Sequence, residues 1–411
     1  MRAYTIIMKN RGINPPPTLT YLAVSKKNAF EPEFRLLLAL LGENLGTVGI
    51  DVCKRRLNDV SIDWKWFESL LIEHRVVSIV YDGLMRLKVE SGFSADFGQR
   101  ISCLNRSLQL RQLGKTQELL EIVRAFESHE IRFLTLKGPA VSQWLYGDAA
   151  KRHCNDLDVL VLQDDFHKVS GAMETLGYRR SGEAFDDRVR SGESFQLLSH
   201  HEHYERRGSQ VEVHWRLSSL DFMFLDSISE LYDRRVSVEI GGQSVPMLGE
   251  EDLVDYLTLH GTAHSWHRLK WLYDIARARQ LIDPRSRQDG LRRAVAMRDQ
   301  LMETLLPGLS DGSKSRATRS GWLSRWLARI CLSQIVEDGL GADSPKKVLG
   351  RTLAVFLCAV GVEEKLRYIY TLFSWPQFYE RFPLPPRLRY LYCILGPFYW
   401  IYRKVAVRFL S

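Results

Sequence analysis

One run of seven residues, DLDVLVL over Asp156–Leu162, constrains the fold of this 411-residue chain more than any other feature. Its aliphatic and β-branched residues, free of Gly and Pro, predict a strand. In a strand, positions i and i+2 share a face about 6.6 Å apart. Asp156 and Asp158 therefore project together from one side, and Leu157 and Val159 from the other. A second run, QVEVHW over Gln210–Trp215, has the same alternation. If it pairs alongside, Glu212 adds a third carboxylate to that face.

Around these strands the period is helical. Glu33–Leu45 and Trp64–Leu87 space their apolar residues as helices, including Trp66, Leu70, Val76, Val80 and Leu84. A long helix is expected from Asn105 to His129, burying Leu108, Leu113, Leu119, Leu120, Val123 and Phe126. Residues 1–30, with Pro15–Pro17, are expected to form a flexible leader, and 31–129 an N-terminal helical region. Over 130–249 short strands take over: Ile131–Leu136, Asp156–Leu162, Ser194–Leu198, Gln210–Trp215, and a hairpin of Val236–Ile240 with Ser244–Met247 turned by Gly241-Gly242. One helix is expected from an Asp164 N-cap to Gly177.

Helical period returns at Glu250–Ile282. There His260, His264, His267, Arg268, Trp271 and Asp274 fall near one stripe of one helix. A lobe over 250–306, a polar linker over 307–320 (PGLSDGSKSRATRS) and a C-terminal helical region over 321–411 complete the chain. The expected class is α+β: a small mixed-sheet core flanked by helical regions.

Composition narrows the function. Apolar residues at 45% and charged residues at 26% exclude a disordered or fibrous chain. Lys and Arg number 57 against 49 Asp and Glu, and the surplus lies after residue 250, where 25 bases face 15 acids. These bases are dispersed and no RNA-binding motif accompanies them, so nucleic acid is not expected as a partner. Six cysteines without a C-x-x-C pair argue against a disulfide framework or zinc ribbon. The N-terminal MRAYTIIMKNRGINPPP offers no signal-peptide core, and the longest uncharged apolar stretch, Tyr390–Tyr402, has 13 residues where a bilayer needs about 20. A cytoplasmic setting is expected. The terminal stretch to Phe409, with Arg403, Lys404 and Arg408, reads as a docked helix, with peripheral membrane contact as the alternative.

Three carboxylates on one face repel unless cations neutralise them. Two Mg²⁺ ions suit such oxygen ligands, with substrate phosphates completing the shells. Two metals about 3.5–4 Å apart can activate an attacking hydroxyl and stabilise a leaving pyrophosphate. Lys137-Gly138-Pro139 is a turn into a helix, since proline suits the first helical position. Backbone amides at a glycine turn and the positive helix end favour a triphosphate there. Lys137 and Arg152 add cationic donors, and His214 shares the Glu212 face as a hydrogen-bonding neighbour.

The order LKGPA, R-x3-D-x-D and VEVHW is similar to the polymerase-beta-type nucleotidyltransferase superfamily. The chain most resembles its bacterial branch of nucleotidyltransferase family proteins, often encoded in biosynthetic clusters. Trp66 to His74-Arg75-Val76 and LHGTAHSWHRLKWLYDIA agree with that branch, and the resemblance covers roughly residues 60–285. It implies Asp156, Asp158 and Glu212 as catalytic metal ligands. Lys137, Gly138, Arg152, His214, His260, His264, Arg268 and Asp274 would bind the nucleotide, the last four on a helix closing over it. The implied reaction moves an NMP from an NTP, ATP foremost, to a small molecule, sugar, peptide or protein acceptor. Pro139 departs from the family's second glycine or serine and lacks an N–H. The alternative is therefore a catalytically weak or inactive nucleotide- or metabolite-binding protein of the same fold. Zinc on His260, His264 and His267 is the minor reading of that histidine stripe.

Overall fold

A computed structural model describes residues 32–373 apart from 60–61, 92–94, 182–198, 225, 284–285, 307–320 and 338–344, together with 384–385, 388, 391–392, 394–396 and 398. The expected leader 1–30, strand Ser194–Leu198, linker 307–320 and most of the terminal basic aromatic stretch lie outside the described residues.

Five helices come first: α1 (Pro32–Asn44), α2 (Ile50–Asp59), α3 (Trp64–Glu73), α4 (Val77–Ser91) and α5 (Ala95–Ser128). Asp63 starts α3, its carboxylate accepting the N–H groups of Lys65 and Trp66 at 3.0 and 3.1 Å. The expected continuous helix over Trp64–Leu87 is two. Arg75 turns to φ +57 and the Val76 N–H reaches back to the Leu71 carbonyl, a left-handed stop made without glycine. The helix α5 begins ten residues before the expected Asn105. Leu113, expected in its buried stripe, is 55% exposed instead, because this part of α5 faces outward from the core.

The sheet has seven strands: β1 (Phe133–Thr135), β2 (Asp156–Val161), β3 (Arg179–Ser181), β4 (His201–Arg206), β5 (Ser209–His214), β6 (Val236–Ile240) and β7 (Gln243–Met247). Their order is β3-β4-β5-β2-β1-β7-β6. Strands β2 and β5 pair in parallel with Asp158 opposite Glu212, and β4 pairs antiparallel to β5 with His201 opposite His214. In the β6–β7 hairpin Gly241 and Gly242 both take positive φ, the geometry of a tight two-residue loop. Between strands lie α6 (Pro139–Tyr146), α7 (Val169–Thr175) and α8 (Ile228–Asp233), the last closed by a Ser227–Glu230 capping box. Asp164 does not cap a helix. A 3₁₀ turn over Gln163–Lys168 precedes α7, because the next acid, Asp165, is held by Arg132 and Lys168.

Six more helices follow the sheet or cover it: α9 (Glu250–Ala263), α10 (Leu269–Leu281), α11 (Arg292–Leu305), α12 (Trp322–Glu337), α13 (Pro345–Cys358) and α14 (Val362–Phe373). The single helix expected over Glu250–Ile282 breaks at Ser265 and Trp266, whose φ values are +51 and +55. The fully buried Trp266 ring folds back onto Gly261, where any Cβ would lie 2.5 Å from a ring carbon. Packing, not local propensity, makes that turn.

One sheet face, with Leu157, Val159, Val161, Val211 and Val213, packs on Leu119, Ile122, Val123 and Phe126 of α5 and on α7. On the other, Leu134 and Leu160 join the large helical core. This two-period pattern fixes register. A one-residue slip of β2 would push its acids into the apolar side at a cost of several kcal/mol per ion. The architecture is an α+β domain with a mixed sheet and helical flanks. No described helix is long and apolar enough to cross a membrane.

Asp255, buried on α9, supplies a pH test remote from the sheet acids. Its carboxylate accepts the Arg287 N–H at 3.1 Å, and burial pushes its pKa up to about 6 despite that bond and the nearby Arg298 charge. The folded chain thus holds a proton that an unfolded Asp releases near pH 4. Stability from this group is full below that pH and lost as pH rises through about 6. Asp255→Asn should therefore gain on the wild type between pH 4 and 7.5, by at most about 3 kcal/mol. Thermal melts across that range check it, and a pH-independent difference would contradict it.

Candidate active site

The central acid grows from the middle of β2. Leu157 and Val159 anchor the strand in one core, so Asp158 must face the other side, where it is 2% exposed. Lys137, at the end of β1's chain, brings Nζ to 2.8 Å from Asp158 Oδ1. His214 Nε2 stands 3.4 Å from both Asp158 Oδ1 and Glu212 Oε2. Burial alone would raise the Asp158 carboxyl, but the Lys137 charge and His214 hold it well below the usual carboxylate range. Lys137 is likewise buried yet kept charged by Asp158. The same two carboxylates raise the pKa of His214 against its desolvation. Neither Asp158 oxygen has a well-directed hydrogen bond.

Behind Lys137, Gly138 adopts φ +76, ψ −144, open essentially only to glycine, and Pro139 begins α6. A side chain there would also meet Leu157 and Cys154, so the bend is seated on β2. Gly138 shapes the loop without lining the cleft described next.

Lys137, Asp156, Asp158, Glu212 and His214 border a cleft of about 550 Å³ between the sheet and the turn joining α9 to α10. Arg75, Arg152, Arg268, Lys270, His260 and His264 also line it. Arg152 is held in place by a fully buried pair with Asp274, Nε to Oδ2 at 2.9 Å, and its backbone N–H donates to Ser142 Oγ. One guanidinium nitrogen, Nη2, is left without a partner. Asp274 itself does not line the cleft. It sits behind Arg152 and also accepts from the Tyr146 hydroxyl at 3.0 Å, so like Gly138 it is an expected binding residue that supports the cleft without lining it.

His260, His264 and His267 surround Trp271: His264 stacks on its ring at 5.2 Å, while His260 and His267 meet it edge-on at 5.3 and 4.8 Å. Arranged around an indole, these imidazoles form no metal triple among the described residues. Burial, with the charge of Lys137, lowers His264 to about 3 and His260 well below the usual imidazole range, so both rings are neutral.

The sheet acids and histidines do converge. Asp158, Glu212 and His214 offer ligand atoms within 4.8 Å of one another, as do His201, His203 and Glu212, and His200, His201 and His214. Asp156 belongs to none of these triples. It stands opposite Gln210, two positions before the Asp158–Glu212 rung, and lines the cleft half-buried. The expected trio of carboxylates is thus two acids with an imidazole, and Asp156 beside them. Ligand atoms of Asp158, Glu212 and His214 within 4.8 Å of one another, the Asp158 oxygens without a hydrogen bond among the described residues, suit a divalent cation, so the residues present fit a metal.

Sequence reasoning missed Arg75, Lys270 and the β4 histidines as site residues. Arg75 was legible only as part of the His74-Arg75-Val76 element, and its burial against Arg268 lowers it to about 10. Lys270 donates to the His153 carbonyl at 2.8 Å, and desolvation next to Arg152 lowers its pKa strongly. His201 and His203 alternate in HEHYER, a usable strand signal once the following Arg207-Gly208 turn is noticed.

Neither the curated proteins nor the solved structures offer a match to the chain. The model of a family described as "uncharacterised nucleotidyltransferase" matches residues 60–301, a span that takes in the whole sheet and the cleft. The chain belongs to this nucleotidyltransferase family.

Proposed function

We propose that the protein is a Mg²⁺-dependent nucleotidyltransferase of the polymerase-beta type, working in the cytoplasm and moving an NMP from an NTP, ATP foremost, to a hydroxyl acceptor. The observation carrying this reading is the mixed charge of one cleft: Asp156, Asp158 and Glu212 line it together with Arg75, Arg152, Arg268 and Lys270. A metal–triphosphate complex is of mixed charge too. Asp158 and Glu212 would hold the cation, with Asp156 joining through bound phosphate or water. Mg²⁺, when bound, neutralises phosphate charge and makes the α-phosphorus electrophilic.

The protein's own groups do the rest. The free Nη2 of Arg152, with Arg75 and Arg268, suits the β- and γ-phosphates of the leaving group. Desolvation disfavours the charged form of buried Lys270, and a phosphate beside it would favour that form. The acceptor oxygen attacks the α-phosphorus, the bond to the β-phosphate oxygen breaks, and pyrophosphate departs. Glu212, half-buried at the cleft, takes the acceptor's proton directly or through water. His260, His264 and Trp271 form an aromatic wall suited to a base or the acceptor.

A second reading has one specific observation behind it. Lys137 at 2.8 Å already neutralises Asp158, and Pro139 removes an N–H from the phosphate loop. A chain relying on Lys137 instead of metal would bind nucleotide and release no product. The separating test pairs calorimetry of Mg·NTP binding with pyrophosphate detection and product mass spectrometry over a panel of acceptors. The transferase reading expects pyrophosphate that EDTA abolishes. Tight binding with no pyrophosphate from any acceptor contradicts it in favour of the second.

A further inference from the structure

Beside the carboxylates lies a second cluster built from nitrogen. Strands β4 and β5 place His201 directly opposite His214, and the residue before β4, His200, brings a third imidazole. Ring centroids lie 4.2 Å apart for His200–His201, 4.9 Å for His201–His214 and 5.6 Å for His200–His214. Trp215 and Arg216 both donate backbone N–H groups to the His200 carbonyl, tying that residue to the end of β5. The cluster therefore stands on paired sheet backbone.

The hydrogen bonding of these rings is one-sided. His214 is 3% exposed, and its Nε2 faces Asp158 and Glu212 at 3.4 Å while its Nδ1 has no hydrogen-bond partner among the described residues. His201 Nε2 lies 3.0 Å from His203 Nε2, and its Nδ1 is buried and equally unpartnered. Buried polar atoms without partners are rare and cost about 1–3 kcal/mol each. A metal-ligating histidine characteristically binds through one nitrogen and gives the other to a carboxylate or similar acceptor. His214 and His201 both have this layout.

We propose that His200, His201 and His214 bind a borderline transition-metal cation of the Zn²⁺ class, at a site separate from the oxygen ligands assigned to Mg²⁺. Three imidazoles favour such an ion, whereas Mg²⁺ prefers oxygen and octahedral water. Nitrogens on a tetrahedral ion with bonds of about 2.05 Å lie about 3.3 Å apart, and the three ligand atoms here lie within 4.8 Å of one another, a distance modest side-chain rotation closes. Through the Nε2 of His214, 3.4 Å from both carboxylates, the ion would neighbour the acids of the other site, a link that ties its occupancy to the charge of Asp158 and Glu212. This inference rests on the strand geometry alone and is independent of nucleotidyl transfer.

The test uses the full chain, stripped with chelator and titrated with Co²⁺, then with Zn²⁺ in competition. The expected result is one Co²⁺ per chain with the intense visible bands of a four-coordinate nitrogen site, displaced by Zn²⁺ and untouched by millimolar Mg²⁺. His200→Ala and His201→Ala should each weaken Zn²⁺ at least about 100-fold, while Asp156→Asn, outside every triple, should keep it. The wild-type spectrum decides the matter even if a histidine variant misfolds. Only the weak bands of six-coordinate Co²⁺, displacement by Mg²⁺, or equal loss in Asp156→Asn would overturn the site.

Discussion

Asp158→Asn is expected to lower the rate of nucleotidyl transfer by at least about 10³-fold, because it removes the acid on which Lys137 and His214 converge and which would hold the proposed cation. Metal stabilisation of phosphoryl charge is worth several kcal/mol, and each 1.4 kcal/mol is tenfold in rate. Asparagine keeps the shape of the side chain, so β2 retains its register with β5. Lys137 loses its counter-ion, but its ammonium lies on the cleft wall and can turn to water there. Steady-state rates beside thermal melts separate chemistry from folding. The fold should survive and the rate should not. Turnover within tenfold of wild type would mean that Asp158 serves only to neutralise Lys137.

The second large effect is on stability. Asp274→Ala should destabilise the chain by about 3–5 kcal/mol, the range for breaking a fully buried ion pair. Arg152 is 1% exposed and would lose the carboxylate it pairs with, and the Tyr146 hydroxyl would lose its acceptor too. Denaturant titration measures the loss. Replacing both partners with apolar residues, Arg152→Met with Asp274→Leu, should recover much of it, since a well-packed apolar pair often matches a buried ionic one. Nucleotide affinity should then fall on its own, because the free guanidinium nitrogen has gone. If Asp274→Ala costs less than about 1 kcal/mol, the pair is not what positions Arg152.

These two experiments address different degrees of legibility in the chain. Asp158 could be read from DLDVLVL, since strand alternation alone sends it to the polar face, and the matching VEVHW predicts Glu212 beside it. The β6–β7 hairpin was equally open, because two glycines between alternating runs leave few other turns. Strand β4 was hidden for a physical reason. Its cleft face carries His201 and His203 in place of polar-out, apolar-in residues, and Tyr204 alone represents the core. The helix breaks at Arg75 and at Ser265–Trp266 have neither Gly nor Pro at the turn; tertiary packing holds those residues at positive φ, and only the folded chain supplies it. The same is true of Arg152 and Asp274, 122 positions apart, whose pairing no local pattern announces. What the chain announced was chemistry on strands, and what it concealed was the support behind that chemistry.

The central claim is that Asp158 and Glu212 share a divalent cation under a triphosphate. Crystals grown with Mn²⁺ and a non-hydrolysable ATP analogue test it through anomalous scattering. The account predicts a Mn²⁺ peak bonded to oxygens of both acids, with the phosphate chain running toward Arg152 and Arg75. A triphosphate lodged elsewhere, or ordered in this cleft with no metal peak between Asp158 and Glu212, would contradict it.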